Sequence, residues 1–150
     1  MVYLTVGLPG SGKTTWARNF QARNGALIIS KDAIRHMYGV EFDWDLEPQV
    51  SHLFWALLHE ALRTYGDIII DNTNLTRGAR SKIIRAAKDA GHRTEVHEFR
   101  GNPDTFWRRK KSTGSIMQRE DFDCLLKSYD PVLSGEEADV VITHYGGDIS

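Results

Sequence analysis

Eight residues near the start, Gly7-Leu8-Pro9-Gly10-Ser11-Gly12-Lys13-Thr14, constrain this chain more than any other stretch. They complete the pattern G-x-x-x-x-G-K-[ST]. They stand between the apolar run Val2-Tyr3-Leu4-Thr5-Val6 and the helix-forming Thr15-Trp16-Ala17-Arg18-Asn19-Phe20. Strand, glycine loop and helix in that order are the context in which the pattern binds phosphate. Three glycines and Pro9 let the backbone wrap so that successive N–H groups point inward at an anion, a geometry that a Cβ resists. Lys13 adds a charge for the β- and γ-phosphates, and the Thr14 hydroxyl can ligate Mg²⁺. A helix starting at Lys13 aims its positive end at the same phosphates. The residues expected to hold a bound nucleotide are Gly7, Pro9, Gly10, Ser11, Gly12, Lys13, Thr14 and Thr15, with Thr14 on the metal.

After this loop the chain alternates short β-like runs with helical stretches, without repeats or low-complexity segments. Lys13 to Arg23 reads as a helix stopped by Asn24-Gly25, and Ala26 to Ser30 as a strand buried on both faces. A short helix follows to Tyr38, then a loop from Val40 to Glu47 mixing aromatics with acids. Pro48 suits the first turn of a long helix to Tyr65, with Val50, Leu53, Phe54, Leu57, Ala61, Leu62 and Tyr65 as its apolar positions. Asp67 to Asp71 is a third strand, Thr76 to Ala90 a helix, and Thr94 to Phe99 a fourth strand. Asn102 caps a helix with Pro103 at its first position. Ser112 to Ser115 interrupts it, Arg119 to Tyr129 is helical, and Asp139 to Thr143 is a fifth strand. Such alternation predicts an α/β fold: a five-stranded parallel sheet with helices on both faces and functional groups at the carboxyl ends of its strands.

A chain of 150 residues with 41% hydrophobic content is expected to form one domain with a real core. No basic leader precedes the first strand and no apolar run approaches a membrane span, which points to a cytoplasmic protein without a membrane partner. The net charge of −1 conceals an uneven distribution. From Asp71 to Glu120 twelve Lys/Arg face six Asp/Glu, whereas Asp121 to Ser150 carries one Lys against seven acids. A local basic groove for phosphates is compatible with that pattern; general coating of nucleic acid is not. The only cysteine, Cys124, excludes an internal disulfide, and beside Leu125 and Leu126 it reads as a small core residue. His52 and His59 share a helix side without a third ligand and read as packing or surface residues.

Three segments should converge at the carboxyl edge: the phosphate loop, Asp32 with Arg35, and Asp71 to Asn74. Asp32 either accepts a proton from an attacking hydroxyl or caps the helix that follows. Arg35, one turn on, either grips an acceptor's phosphate or pairs with a surface acid. Asp71 is placed to hold Mg²⁺ through water, and Asn72, Thr73 and Asn74 either orient it or make the turn. Arg108-Arg109-Lys110-Lys111, before a Ser/Thr/Gly break, is a solvated helix face or a mobile lid around residues 108–119. Arg77, Arg80, Lys82, Arg85 and Lys88 make a basic helix that either flanks an acceptor groove or faces solvent.

Gly7 to Arg18, Ser30-Lys31-Asp32-Ala33-Ile34-Arg35 and Asp71-Asn72-Thr73-Asn74-Leu75 together resemble the kinase domain of phage polynucleotide 5′-kinases. The resemblance extends loosely through the lid to Leu125-Leu126-Lys127-Ser128-Tyr129. The loop alone is generic; Trp16, the Asp-x-x-Arg and the Thr-Asn-Leu make the match specific. It implies a P-loop kinase fold and transfer of the γ-phosphate of ATP, with Mg²⁺, to the 5′-hydroxyl of DNA or RNA. By position it makes Lys13, Asp32 and Arg109 catalytic, with Asp32 as general base. It makes Arg35 the contact to the phosphate beside the 5′-terminal nucleoside, with Asp71, Asn72, Thr73 and Asn74 on the acceptor. The chain departs from that family at Asn72, where the family carries an acid, and at Thr113, where it carries a second lid arginine. No 3′-phosphatase domain accompanies the kinase motifs. A kinase of a small hydroxyl acceptor uses the same scaffold, and a nucleotide-dependent switch would keep Lys13 and Thr14 but have no need of Asp32; the G-x-K-D code of many GTP switches is not evident.

Overall fold

The computed structural model describes residues 1–64 and 66–146. Strands β1 (Val2–Val6), β2 (Leu27–Ile29), β3 (Ile68–Ile70), β4 (Thr94–Arg100) and β5 (Val140–Tyr145) form a fully parallel sheet ordered β2-β3-β1-β4-β5. Helices α1 (Lys13–Asn24), α2 (Lys31–Met37), α3 (Glu47–Leu62), α4 (Arg77–Asp89), α5 (Pro103–Ser112) and α6 (Arg119–Ser128) connect them, with one 3₁₀ turn at Trp44–Leu46. Because β1 lies between β3 and β4, the chain crosses to opposite sides of it. The loop leaving β1 therefore opens into the crevice where α/β sheets bind ligands.

Side-chain alternation explains the three layers. Val2, Leu4 and Val6 of β1, Ile68 and Ile70 of β3, and Ile29 of β2 point to one face, where α3 and α4 cover them. Tyr3, Ile69 and Ile28 point to the other and meet Ala17, Trp16 and Phe20 of α1. Strands with both faces buried read as unbroken apolar runs. A separate cluster of Leu8, Leu75, Phe106 and Phe122 joins α5 and α6 to the phosphate loop at the carboxyl edge.

Helix α3 turns differently from its expected register. Val50, Phe54, Leu58, Ala61 and Leu62 are buried, while Leu53 and Leu57 are 37% and 46% exposed. The stripe follows the single line that meets the sheet, and a helix this rich in leucine has more apolar residues than that line holds. Tyr65 lies outside the described residues. Cys124 is exposed, not a core residue. On α6, Phe122 and Leu125 face inward, and position 124 falls on the opposite side of a 3.6-residue turn.

On the basic helix α4, Arg77, Lys82, Arg85 and Lys88 face solvent as one of the two expectations had it, and Arg80 departs from both. Arg80 is completely buried and forms a two-pronged pair with Glu136, at 2.9 and 2.6 Å. Its third nitrogen donates to the Asn74 and Leu75 carbonyls. Arg85 pairs with Glu137, Lys88 donates to the Glu137 carbonyl, and Arg77 donates from its backbone N–H to the Asp130 carboxylate and from its guanidinium to the Gly135 carbonyl. The positive and negative halves of the sequence meet each other across this helix.

Candidate active site

Glycine geometry shapes the phosphate loop. At Gly10, with φ of +84°, a Cβ would stand 2.1 Å from the Phe106 carbonyl oxygen, so the first turn of α5 is laid directly on the loop. Gly12 occupies the N-cap of α1 at φ 95° and offers no side chain to the first-turn N–H groups. The Ser11 hydroxyl is buried without a hydrogen-bond partner among the described residues. Lys13 is buried too, and desolvation lowers its affinity for its proton. Asp71 and Asp32 act in the opposite direction, and Lys110 adds repulsion. An uncapped helix end, an orphaned hydroxyl and a buried ammonium in one glycine cradle fit the phosphates of a nucleotide.

The Asp71 carboxylate, buried at the end of β3, accepts from the Thr5 hydroxyl at 2.8 Å and from the Thr14 hydroxyl at 2.9 Å. Donation to Asp71 turns the Thr14 lone pairs outward, so Thr14 and the remaining Asp71 valence suit Mg²⁺, which keeps most of its ligands as water and phosphate oxygen. Asn72 accepts from the Lys31 N–H at 2.8 Å and ties β3 to the start of α2. Thr73 accepts from the Gly7 N–H through its carbonyl. Asn74, at φ 46°, is buried and donates to the Thr5 carbonyl at 2.8 Å. The side chain of Asn74 thus makes the turn.

Ser30, not Asp32, caps α2, its hydroxyl accepting from the Ala33 N–H at 2.9 Å. Asp32 is released from that role; its carboxylate is 78% exposed and accepts from Arg35 at 2.6 Å. Arg35 directs Nε and Nη2 onto the two oxygens of Glu47, at 2.9 and 2.7 Å. Three of the five guanidinium N–H donors are engaged in this way, leaving one on each terminal nitrogen. Glu47 went unnoticed in the sequence because nothing local ties it to Arg35. Its place at the start of α3, before Pro48, is the only signal.

Arg109 lies on the exposed side of α5, with no hydrogen bond or ion pair on its guanidinium among the described residues. Lys110, half-buried, is the lid cation whose charge bears on both Lys13 and Glu41. Lys111 is tied to the Ser115 and Met117 carbonyls. The connector 113–118 is latched across the cleft: the Ser115 hydroxyl and the Ile116 N–H donate to the Glu41 carboxylate. Burial raises the Glu41 pKa, but these bonds and Lys110 outweigh it and leave the group below its ordinary range.

The sheet order and the loop at its switch point define a P-loop kinase domain, a nucleotide-binding fold associated with phosphoryl transfer. The chain matches the AAA domain family over residues 2–125 and belongs to it. Among solved structures it is similar to Kti12 of Chaetomium thermophilum in complex with ADP-AlF3, with TM-score 0.74 and 20% identity over 99% of this chain and 90% of that one. It is similar to a gluconokinase from Sinorhizobium meliloti 1021, with TM-score 0.64 and 19% identity over 96% and 81%. A chain of the Pnkp1/Rnl/Hen1 RNA repair complex gives TM-score 0.72 and 19% identity over 85% of this chain and 43% of that one. Among the described residues, no helix is long and apolar enough to cross a membrane.

Proposed function

We propose that this protein is an ATP-dependent polynucleotide 5′-hydroxyl kinase. The observation that carries the reading is the exposed Asp32 carboxylate, uncoupled from helix capping, beside Arg35 with its two unengaged N–H donors. Asp32 accepts the proton of the 5′-hydroxyl as its oxygen attacks the γ-phosphorus; the bond from that phosphorus to the β-bridging oxygen breaks and ADP leaves. Arg35 binds the acceptor's first phosphate with its remaining pair of donors. Lys13 and the N-terminus of α1 hold the donor phosphates, and Arg109 and Lys110 supply lid charge to the migrating group. Mg²⁺, held by Thr14 with Asp71 behind it, would neutralise charge on the β- and γ-phosphates. Domain extent from 1 to 150, with a lid around 108–119, belongs to the same proposal. The resemblance of the Asp-x-x-Arg and Thr-Asn-Leu stretches to polynucleotide kinases supports the acceptor class, as does the likeness to the RNA repair chain.

A specific observation favours a second reading, a kinase of a small hydroxyl acceptor: the two-pronged Glu47 contact offsets the charge that Arg35 would present to a phosphate. Transfer of labelled γ-phosphate to 5′-hydroxyl DNA and RNA oligonucleotides, beside a panel of sugars and nucleosides, separates the two. Label on the oligonucleotide ends, lost in Asp32→Asn, is the expected result. Label only on a small molecule would overturn the acceptor class. Nucleotide binding with no transfer to any acceptor would favour the switch.

A further inference from the structure

The stretch Val40-Glu41-Phe42-Asp43-Trp44-Asp45-Leu46-Glu47 alternates apolar and acidic residues without a break, yet none of it pairs in the sheet. Three members have evident polar or core partners in the fold: Leu46 packs on the core, Glu47 holds Arg35 and Glu41 is held by the lid connector. Phe42 and Trp44 are 41% and 78% exposed and pack edge to face on each other, ring centroids 4.9 Å apart at 87°, forming a corner open to solvent. This corner is fixed from both sides. The Arg35 guanidinium lies 5.4 Å from the Phe42 ring centroid while bonded to Asp32, and neighbouring Glu41 is bound by Ser115 and Ile116 of the lid connector.

We propose that Phe42 and Trp44 seat the acceptor's 5′-terminal nucleobase, an inference that rests on the polynucleotide reading. Continuity places the corner beside the attacking end: Asp32 touches Arg35 and Arg35 touches Phe42, so the base of a nucleoside whose 5′-oxygen meets Asp32 falls toward these rings. Charge selects the part of the acceptor. Asp43 and Asp45 flank the corner and repel phosphates, so a strand cannot run across it, whereas an uncharged ring can stack there. A cationic acceptor fits less well, because Arg35 already occupies the π-face of Phe42. An L-shaped corner holds one ring, so an unpaired 5′ end is preferred to a flush duplex end.

The test compares oligonucleotides with a 5′-terminal base and with a 5′-terminal abasic sugar, on the full-length protein and on Trp44→Ala and Trp44→Phe. Base–aromatic stacking predicts that removing either the base or the indole raises KM about tenfold, with the loss on KM rather than kcat. Removing both is expected to cost no more than removing one, and Trp44→Phe to retain most of the affinity. Full additivity of the two losses, or an unchanged KM in Trp44→Ala, would overturn the platform while leaving the kinase reading intact. Failure of the unsubstituted protein to label any 5′-hydroxyl oligonucleotide, with transfer to a cationic small acceptor, would overturn the reading itself and the platform with it.

Discussion

The donor and acceptor sides of the cleft are built by different means. On the donor side the Thr5 and Thr14 hydroxyls fix Asp71, and the buried Arg80 holds the Asn74 and Leu75 carbonyls of the turn behind it. On the acceptor side, Asp32 is exposed, and Arg35 is positioned by ion pairs reaching from α2 to α3. Breaking a buried pair strands an uncompensated charge, roughly 3–5 kcal/mol, whereas an exposed pair contributes about 0–1 kcal/mol. Asp32 can therefore change at little energetic cost, while the two-pronged Arg35–Glu47 pair, with side chains 16% and 21% exposed, stands between the two cases.

Asp32→Asn is the sharpest way to separate the two sides. Loss of general-base function predicts a fall in kcat of roughly 10²–10⁴ with nucleotide affinity preserved, measured by single-turnover transfer and nucleotide titration. A comparable fall in nucleotide affinity would break the division. Arg80→Met should destabilise the fold by about 3–5 kcal/mol, since Glu136 is left buried and alone. Adding Glu136→Leu should restore most of the loss in denaturant titrations.

Acidity probes the donor side next. His97 and His144 stand 2.8 Å apart beside Trp16 of α1, and burial, with repulsion from His144, holds His97 to about 4. The unfolded chain takes a proton as pH falls through 6.5 and the folded chain resists until about 4. The stabilisation is thus complete above 6.5 and is lost progressively below it. Between pH 7 and pH 5 we expect a fall of about 2 kcal/mol in urea titrations, shallower in His97→Gln. The smallest expected effect is on the acceptor side. Glu47→Gln keeps a hydrogen bond to Arg35 but removes the competing charge, and should lower KM for an oligonucleotide by a few-fold while steepening its salt dependence. An unchanged salt slope would detach Arg35 from the acceptor's phosphate.

Legibility in the sequence follows the same division. The phosphate loop, the strands and most helix ends were readable because they depend on nearest neighbours: a glycine where φ is positive, Asn102 ahead of Pro103, an apolar run buried on both faces. Asp32 was ambiguous between base and cap because both roles favour an acid there; the bond from Ala33 to Ser30 removes the cap. Arg80 alone of the basic residues on α4 departs from both expectations, because its partner Glu136 lies 56 residues further along the chain.

The sequence by itself determined a nucleotide-phosphate loop on a parallel α/β scaffold, since that motif is a short-range backbone geometry written in glycine, lysine and threonine. Only the tertiary structure decided that Glu47 grips Arg35, that Glu41 latches the lid connector, and that the two charged halves of the chain neutralise each other across α4. Those are pairings of side chains distant in sequence. Electrostatic attraction depends on separation in space, which residue order does not display.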